Sequence, residues 1–134
     1  MSDQANVQLV RQAYEHFKTG NIPALLGLLS EDVEWQLPDI ANVPFAGKRH
    51  GREQAGQFFA AVNREQEALQ FEPRRLVAEG DTVVAIGHYA WRVRSTGRQF
   101  ECDWAHVFTV RGGRIVAFQE FTDTALAAAA YRKP

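Results

Sequence analysis

The sequence predicts an α+β fold in which helices cover one face of a curved sheet. Three observations predict it. Apolar residues recur at helical spacing over Val10–Phe17 and again over Ala55–Val62, with a short helix after Asn21. From about Gln70 the pattern becomes strand-like, with turns at Glu79-Gly80-Asp81, Ser95-Thr96-Gly97 and Arg111-Gly112-Gly113. No linker, repeat or low-complexity tract interrupts the chain, so residues 1–134 read as one domain, large enough to bury a core.

The elements follow in order. Val10, Ala13, Tyr14 and Phe17 form one apolar stripe, and Gly20 is the stop signal of that helix. Asn21 is placed to cap a short second helix with Pro23 in its first turn. V-E-W-Q-L-P alternates, so Val33, Trp35 and Leu37 share a strand face that Pro38 ends. The segment from Asp39 to Gly51 is rich in turn residues and reads as a loop, with His50 in a solvated basic turn. A third helix starts near Gly51 and buries Ala55, Phe58, Phe59 and Val62. Asp123, after the last strand, caps a closing alanine-rich stretch.

Bulk properties exclude several classes. The formal net charge is −1, from 15 Lys and Arg against 16 Asp and Glu, so nothing points to nucleic acid or an anionic membrane as partner. Apolar runs fall short of transmembrane length, and the N-terminal residues lack the basic-then-apolar pattern of a signal peptide; the chain reads as cytoplasmic. The one cysteine, Cys102, allows no internal disulfide and no thiolate zinc site, and reads as a small buried hydrophobe.

Four stretches, in order and nearly chain-long, resemble the nuclear transport factor 2-like superfamily. They are Y-E-H-F-K-T-G-N, S-E-D-V-E-W, V-P-F-A-G-K-R-H-G-R-E-Q-A-G-Q-F-F and H-V-F-T-V-R-G-G-R-I. The branch they resemble contains ketosteroid isomerase and SnoaL-type polyketide cyclases. The resemblance implies a cystatin-like cone: a curved mixed, mostly antiparallel sheet wrapped around three N-terminal helices and one deep pocket. It implies a homodimer formed through the sheet, and a pocket for a small apolar or aromatic ligand. Fold alone leaves function open, since the same cone serves enzymes, binding modules and assembly domains.

Alternation then selects the pocket wall. A three-residue turn at R-G-G with Gly113 left-handed would set His106 opposite Phe118 and Trp104 opposite Glu120. Trp104, His106, Phe108, Phe118 and Glu120 then share the inner face, and Glu101, Asp103, Thr109 and Gln119 the outer one. A one-residue slip would exchange Glu120 for Gln119. On the preceding strand Tyr89, Trp91 and Val93 form the inner set, while His88, Ala90 and Arg92 lie outside. Trp35, Leu37, Tyr14 and Phe58 complete an aromatic wall of the kind that surrounds small molecules.

Set against the resemblance, Leu37 occupies the position of the isomerase's catalytic base, which argues against steroid double-bond isomerisation. Asp39 is the nearest carboxylate, in the loop beyond Pro38. Tyr14 falls one position from the family's helix-1 tyrosine and is expected to point elsewhere by a helical step. His106 aligns with the family's donor aspartate, and Glu120 with the acid–base aspartate of the cyclases. The Asp-Arg-Asp trio of epoxide-hydrolase relatives has no counterpart on an inner face.

Glu120 and His106 are therefore the candidate catalytic pair, with Tyr14, Trp35, Leu37, Phe58, Tyr89, Trp91, Trp104, Phe108 and Phe118 as substrate pocket. No metal or cofactor is expected; a His88–His106 pair would place its rings on opposite sides of the sheet. Three readings stay open: a cofactor-free acid–base enzyme, a binding module for a small apolar ligand, and an assembly domain that uses the convex sheet face; the His106–Glu120 pair also reads as a structural hydrogen bond without catalysis. His50 at the pocket mouth could grip an anionic group.

Overall fold

Residues 2–133 are described in a computed structural model of the chain. Helix α1 (Asp3–Thr19) starts at Ser2, whose hydroxyl oxygen accepts from the Ala5 N–H. It stops at Gly20, left-handed at φ 77°. Helix α2 (Ile22–Gly27) is capped by the Asn21 side chain and carries its proline in the first turn. Strand β1 (Leu29–Gln36) turns Val33 and Trp35 inward, and Leu37 is buried just past its end.

The next segment departs from the expected loop. Residues 37–47 close on themselves through the Leu37 N–H to the Gly47 carbonyl (2.9 Å), and Ile40, Val43 and Phe45 are buried inside. That closure delivers β2 (Lys48–His50) into antiparallel register with Glu34–Gln36. The short strand covers what would be an open sheet edge, which is its physical reason. It also sets His50 on an exposed strand edge, where its ring bonds Glu34, and His50 is not among the residues that line the cavity.

Helix α3 (Gly51–Glu65) buries Ala55, Phe58, Phe59 and Val62. Strand β3 (Gln66–Glu79) follows at once, four residues earlier than its alternation suggests. Its first residue is anchored by the Tyr131 hydroxyl, which donates to Gln66 Oε1 at 2.6 Å. Strands β4 (Thr82–Val93), β5 (Gln99–Arg111) and β6 (Arg114–Phe121) complete a sheet of order β2-β1-β6-β5-β4-β3. Among the described pairs, only β1 and β6 run parallel.

The sheet bends around its contents. β3 carries irregularities at Ala68/Gln70 and Pro73/Arg75, and these increase local twist. Gly87 sits between Pro73 and Trp104 in register. A Cβ there would lie 2.3 Å from the Trp104 ring and 2.4 Å from the Glu72 carbonyl, so only glycine allows the indole to lie flat across β4.

The β5–β6 hairpin corrects the expected turn. Arg111 pairs Arg114, leaving a two-residue turn with Gly112 and Gly113 both at positive φ (57° and 75°), the conformation that two-residue hairpins favour. An irregularity at Thr109/Val110 then shifts the register, so His106 lies opposite Glu120 and Phe108 opposite Phe118. This pairing differs from the expected one by two residues, and an even shift keeps every side chain on its face. Helix α4 (Thr124–Tyr131), capped by Asp123, closes one end of the cone. Thr96 Oγ1 and Arg98 Nη1 donate to the carbonyls of Ala130 and Ala129.

Candidate functional site

The concave face, α1, α3, the 37–47 loop and α4 line a cavity of about 90 Å³. Its wall is mostly aromatic. Tyr14, Trp35, Leu37, Phe58, Tyr89, Trp91, His106, Phe108, Phe118 and Glu120 all line it. Trp104 does not, although its alternation places it on the inner face. It lies over Gly87 and stacks behind His106, ring centroids 3.9 Å apart and 18° from parallel. Its role is to support the imidazole.

The polar end of the cavity is a chain of three side chains from three elements. The Tyr14 hydroxyl on α1 lies 2.7 Å from His106 Nδ1 on β5, and His106 Nε2 lies 2.8 Å from Glu120 Oε2 on β6. All three are shielded: Tyr14 is 8% exposed, and the His106 and Glu120 side chains 5% and 12%. Burial, and after it the charge of Glu120, holds the Tyr14 hydroxyl well above the usual phenol range. Tyr14 therefore stays a neutral phenol. The Glu120 carboxylate can only accept, so His106 Nε2 carries a hydrogen and donates to it, while the Tyr14 hydroxyl, donor and acceptor alike, satisfies Nδ1. Tyr14 thus points at the site, contrary to the helical-step argument. The docking of α1 against β5, invisible to counting back from Gly20, brings it there.

A second polar group adjoins the first. The Tyr89 and Thr122 hydroxyls are 2.6 Å apart, and Cys102 Sγ is 3.3 Å from Thr122 Oγ1. Burial, then Glu120, also raises Tyr89, which remains a neutral phenol. On the far side of Phe118, Trp35 stacks on that ring at 4.0 Å and 12°. Its Nε1–H has no acceptor among the described residues, although Trp35 is only 6% exposed. A buried donor left unpaired costs about 1–3 kcal/mol.

Sequence reasoning missed several wall residues. Ile40, Val43 and Phe45 lie in the turn-rich loop, and their apolar character there was the available signal. Phe71 sits near the start of β3, where a local irregularity breaks the alternation. Asp39 is outside the wall. Leu37 is buried in the wall, where no proton transfer can involve it. Among the described residues, no group of three or more His, Cys, Asp or Glu side chains is arranged to hold a metal, and no helix is long and apolar enough to cross a membrane.

A family model described as a SnoaL-like domain matches residues 10–118. No curated protein matches the sequence. Solved structures do. A nuclear transport factor 2-like protein from Burkholderia xenovorans LB400 is 33% identical, covers 98% of this chain and 99% of its own, and superposes with a TM-score of 0.90. Another, from Burkholderia thailandensis E264, is 32% identical over 98% and 99% with a TM-score of 0.86. TerC, co-crystallized with polyporic acid, shares the fold at 23% identity, 95% and 98% coverage and a TM-score of 0.85.

Proposed function

The chain belongs to the SnoaL-like domain family, and from that premise we propose that it takes a small carbonyl compound into its aromatic cavity and moves a proton on the carbon beside the carbonyl. Glu120 is the base and acid of this reading. One observation carries it: the buried Tyr14–His106–Glu120 chain, whose carboxylate opens on the cavity. Both ring nitrogens of His106 are engaged, so its role is to orient the carboxylate through Nε2, with Tyr14 holding the ring at Nδ1. The α-proton passes to Glu120, the C–H electron pair delocalises onto the carbonyl oxygen as an enolate, and Glu120 returns the proton to the same or a conjugated carbon. The chemistry uses the protein's own side chains.

The test is deuterium uptake at the methyl group of acetophenone in D₂O, followed by NMR. Wild-type protein is expected to exceed the buffer rate, and Glu120→Gln to lose at least about 100-fold of that excess, the usual scale of a positioned base. Uptake by Glu120→Gln at the wild-type rate refutes the reading. The alternative, a non-catalytic ligand carrier, is favoured by one observation: both imidazole nitrogens are already satisfied internally. It expects ligand recovered without exchange and a Glu120→Gln change in affinity alone.

The partner on the convex face is, in this proposal, a second copy of the chain. Val77, Ile86 and Phe121 are 47%, 45% and 51% exposed on that face. Val84, Ala105 and Val107 lie between them in register. An apolar patch rimmed by charge is the usual form of such an interface. Sedimentation of the protein as a monomer at micromolar concentration refutes it. A cytoplasmic location completes the reading, and the free thiol of Cys102 suits a reducing compartment.

A further inference from the structure

The proposed reaction leaves a negative oxygen with no named donor, and the wall of the cavity holds a buried donor with no named acceptor. We infer that the Trp35 indole N–H receives the carbonyl oxygen of the ligand, and that this ligand is a compound of one ring. The inference rests on the acid–base reading above and deepens it.

The placement suits both ends of such a ligand. Trp35 pairs Phe118 across the parallel β1–β6 ladder, and Glu120 lies two residues farther along β6 on the same face. The spacing of a pleated sheet puts these diagonal neighbours roughly 8 Å apart. Phe118 lies between them, stacked on Trp35 and in contact with His106. The indole nitrogen is closed to water in this structure, so a flat ring entering near Phe118 must ease that wall to set its carbonyl oxygen on Trp35 with its α-carbon toward Glu120. Tyr14 and Tyr89, the phenols of the wall, are already engaged with His106 and Thr122. Among the described wall residues, Trp35 holds the buried donor that no protein group satisfies. As the α-proton leaves, negative charge grows on the carbonyl oxygen, and a hydrogen bond to that oxygen strengthens with it.

Size sets the second half of the inference. The cavity measures about 90 Å³, below the roughly 150 Å³ that holds a benzene molecule and far below the 300–1,000 Å³ of ordinary drug-sized pockets. Its softest wall is the half-buried pair Phe17 and Phe71, centroids 4.9 Å apart. Small movements of those rings admit one ring. A second fused ring would have to pass between Phe17 and Phe71 toward the groove those rings also border, or displace buried wall residues such as Phe59 or Trp91.

Four probes test this by NMR titration: acetophenone, its isostere α-methylstyrene with a methylene in place of the carbonyl oxygen, 2-acetylnaphthalene and 2-acetylanthracene. Trp35→Phe keeps an aromatic ring against Phe118 and removes the donor. Acetophenone is expected to bind wild-type protein, and Trp35→Phe to weaken it about fivefold to tenfold. The same variant should leave α-methylstyrene unchanged and should slow deuterium uptake by acetophenone at saturation. Equal weakening of both one-ring probes means that the indole only packs, and overturns the donor assignment. Binding of either fused-ring ketone as tight as that of acetophenone overturns the size limit. If Glu120→Gln abolishes uptake while Trp35→Phe changes nothing, the acid–base reading stands and this inference falls. If none of the four probes binds, both fall.

Discussion

Two histidines on neighbouring strands, on opposite faces of one sheet, make the most informative comparison in the molecule. His88 on β4 lies on the convex face, with Nε2 2.6 Å from Glu101 and Nδ1 2.8 Å from Asp103. His106 on β5 lies on the concave face between Tyr14 and Glu120. Each ring uses both nitrogens. The difference is in what holds the second one. Two carboxylates, Glu101 before Asp103, favour the imidazolium form of His88 and raise its pKa. A carboxylate can only accept, so Glu120 draws the Nε2–H of His106, and the neutral Tyr14 phenol satisfies the other nitrogen without adding a second charge. The first arrangement is a solvated clamp between two strands. The second is a directed hydrogen-bond chain ending at a cavity. Residue type alone does not distinguish them; the partner on the second nitrogen does.

The sharpest way to break this comparison is to remove each ring. His106→Ala leaves the Tyr14 hydroxyl and the Glu120 carboxylate buried without partners, and is expected to cost about 3–5 kcal/mol in chemical denaturation. His88→Ala exposes its two carboxylates to water they already meet, so its denaturation curve should nearly overlay that of the wild type. Similar losses for the two would erase the distinction. Next in size is Gly87→Ala. Gly87 precedes His88 in the chain and lies beneath the indole that stacks on His106, so it couples the two faces. One of the clashing atoms is backbone and cannot rotate away. The expected loss is about 1–3 kcal/mol, with a fall in Trp104-dependent near-ultraviolet dichroism. Wild-type stability and unchanged dichroism in the Gly87→Ala variant would show that the sheet yields there.

The smallest effect is on pH. The folded state raises His88 above its ordinary value of 6.5, so it binds that proton more tightly than the unfolded chain does. The resulting stability is fully present below pH 6.5 and is lost as pH rises through the folded-state value. Glu72 and Arg74 flank the same cluster and partly offset one another. Exposure and screening keep the effect small, and salt at about 0.5 M should flatten it. In His88→Gln the slope of Tm against pH above 6.5 should be absent. An unchanged slope in that variant assigns it to another group.

Much of this arrangement is legible in the sequence because alternation is robust. The inner row of β5 and β6 depends only on parity, so a turn read as three residues and found to be two, followed by a register shift, leaves Glu120 and His106 on the same side. Helix caps at Asn21 and Asp123 are equally local, written in one side chain and the N–H it reaches. What the sequence hides is anything decided between elements. The contact of Tyr14 with His106 depends on how α1 rolls against the sheet. The withdrawal of Trp104 from the cavity depends on a glycine on the adjacent strand. The loop at 37–47 folds inward because closing its ends creates a place for Ile40, Val43 and Phe45, and no periodicity announces that.

The parallel pairing of β1 with β6 has a consequence for how the chain is made. Leu29 to Gln36 must wait for Ile115 to Gln119 before its inner edge is satisfied. Strands β3 to β6 each pair with a sequence neighbour and can assemble as a meander while synthesis proceeds. The stack of Trp35 on Phe118 therefore joins strand β1 to strand β6, and the chamber it borders is completed only after the ribosome has delivered Phe118. Until that moment the aromatic rows of β4 and β5 have no roof. A nascent chain stalled before Phe118 would expose them, and holding such chains soluble would fall to chaperones rather than to the fold itself.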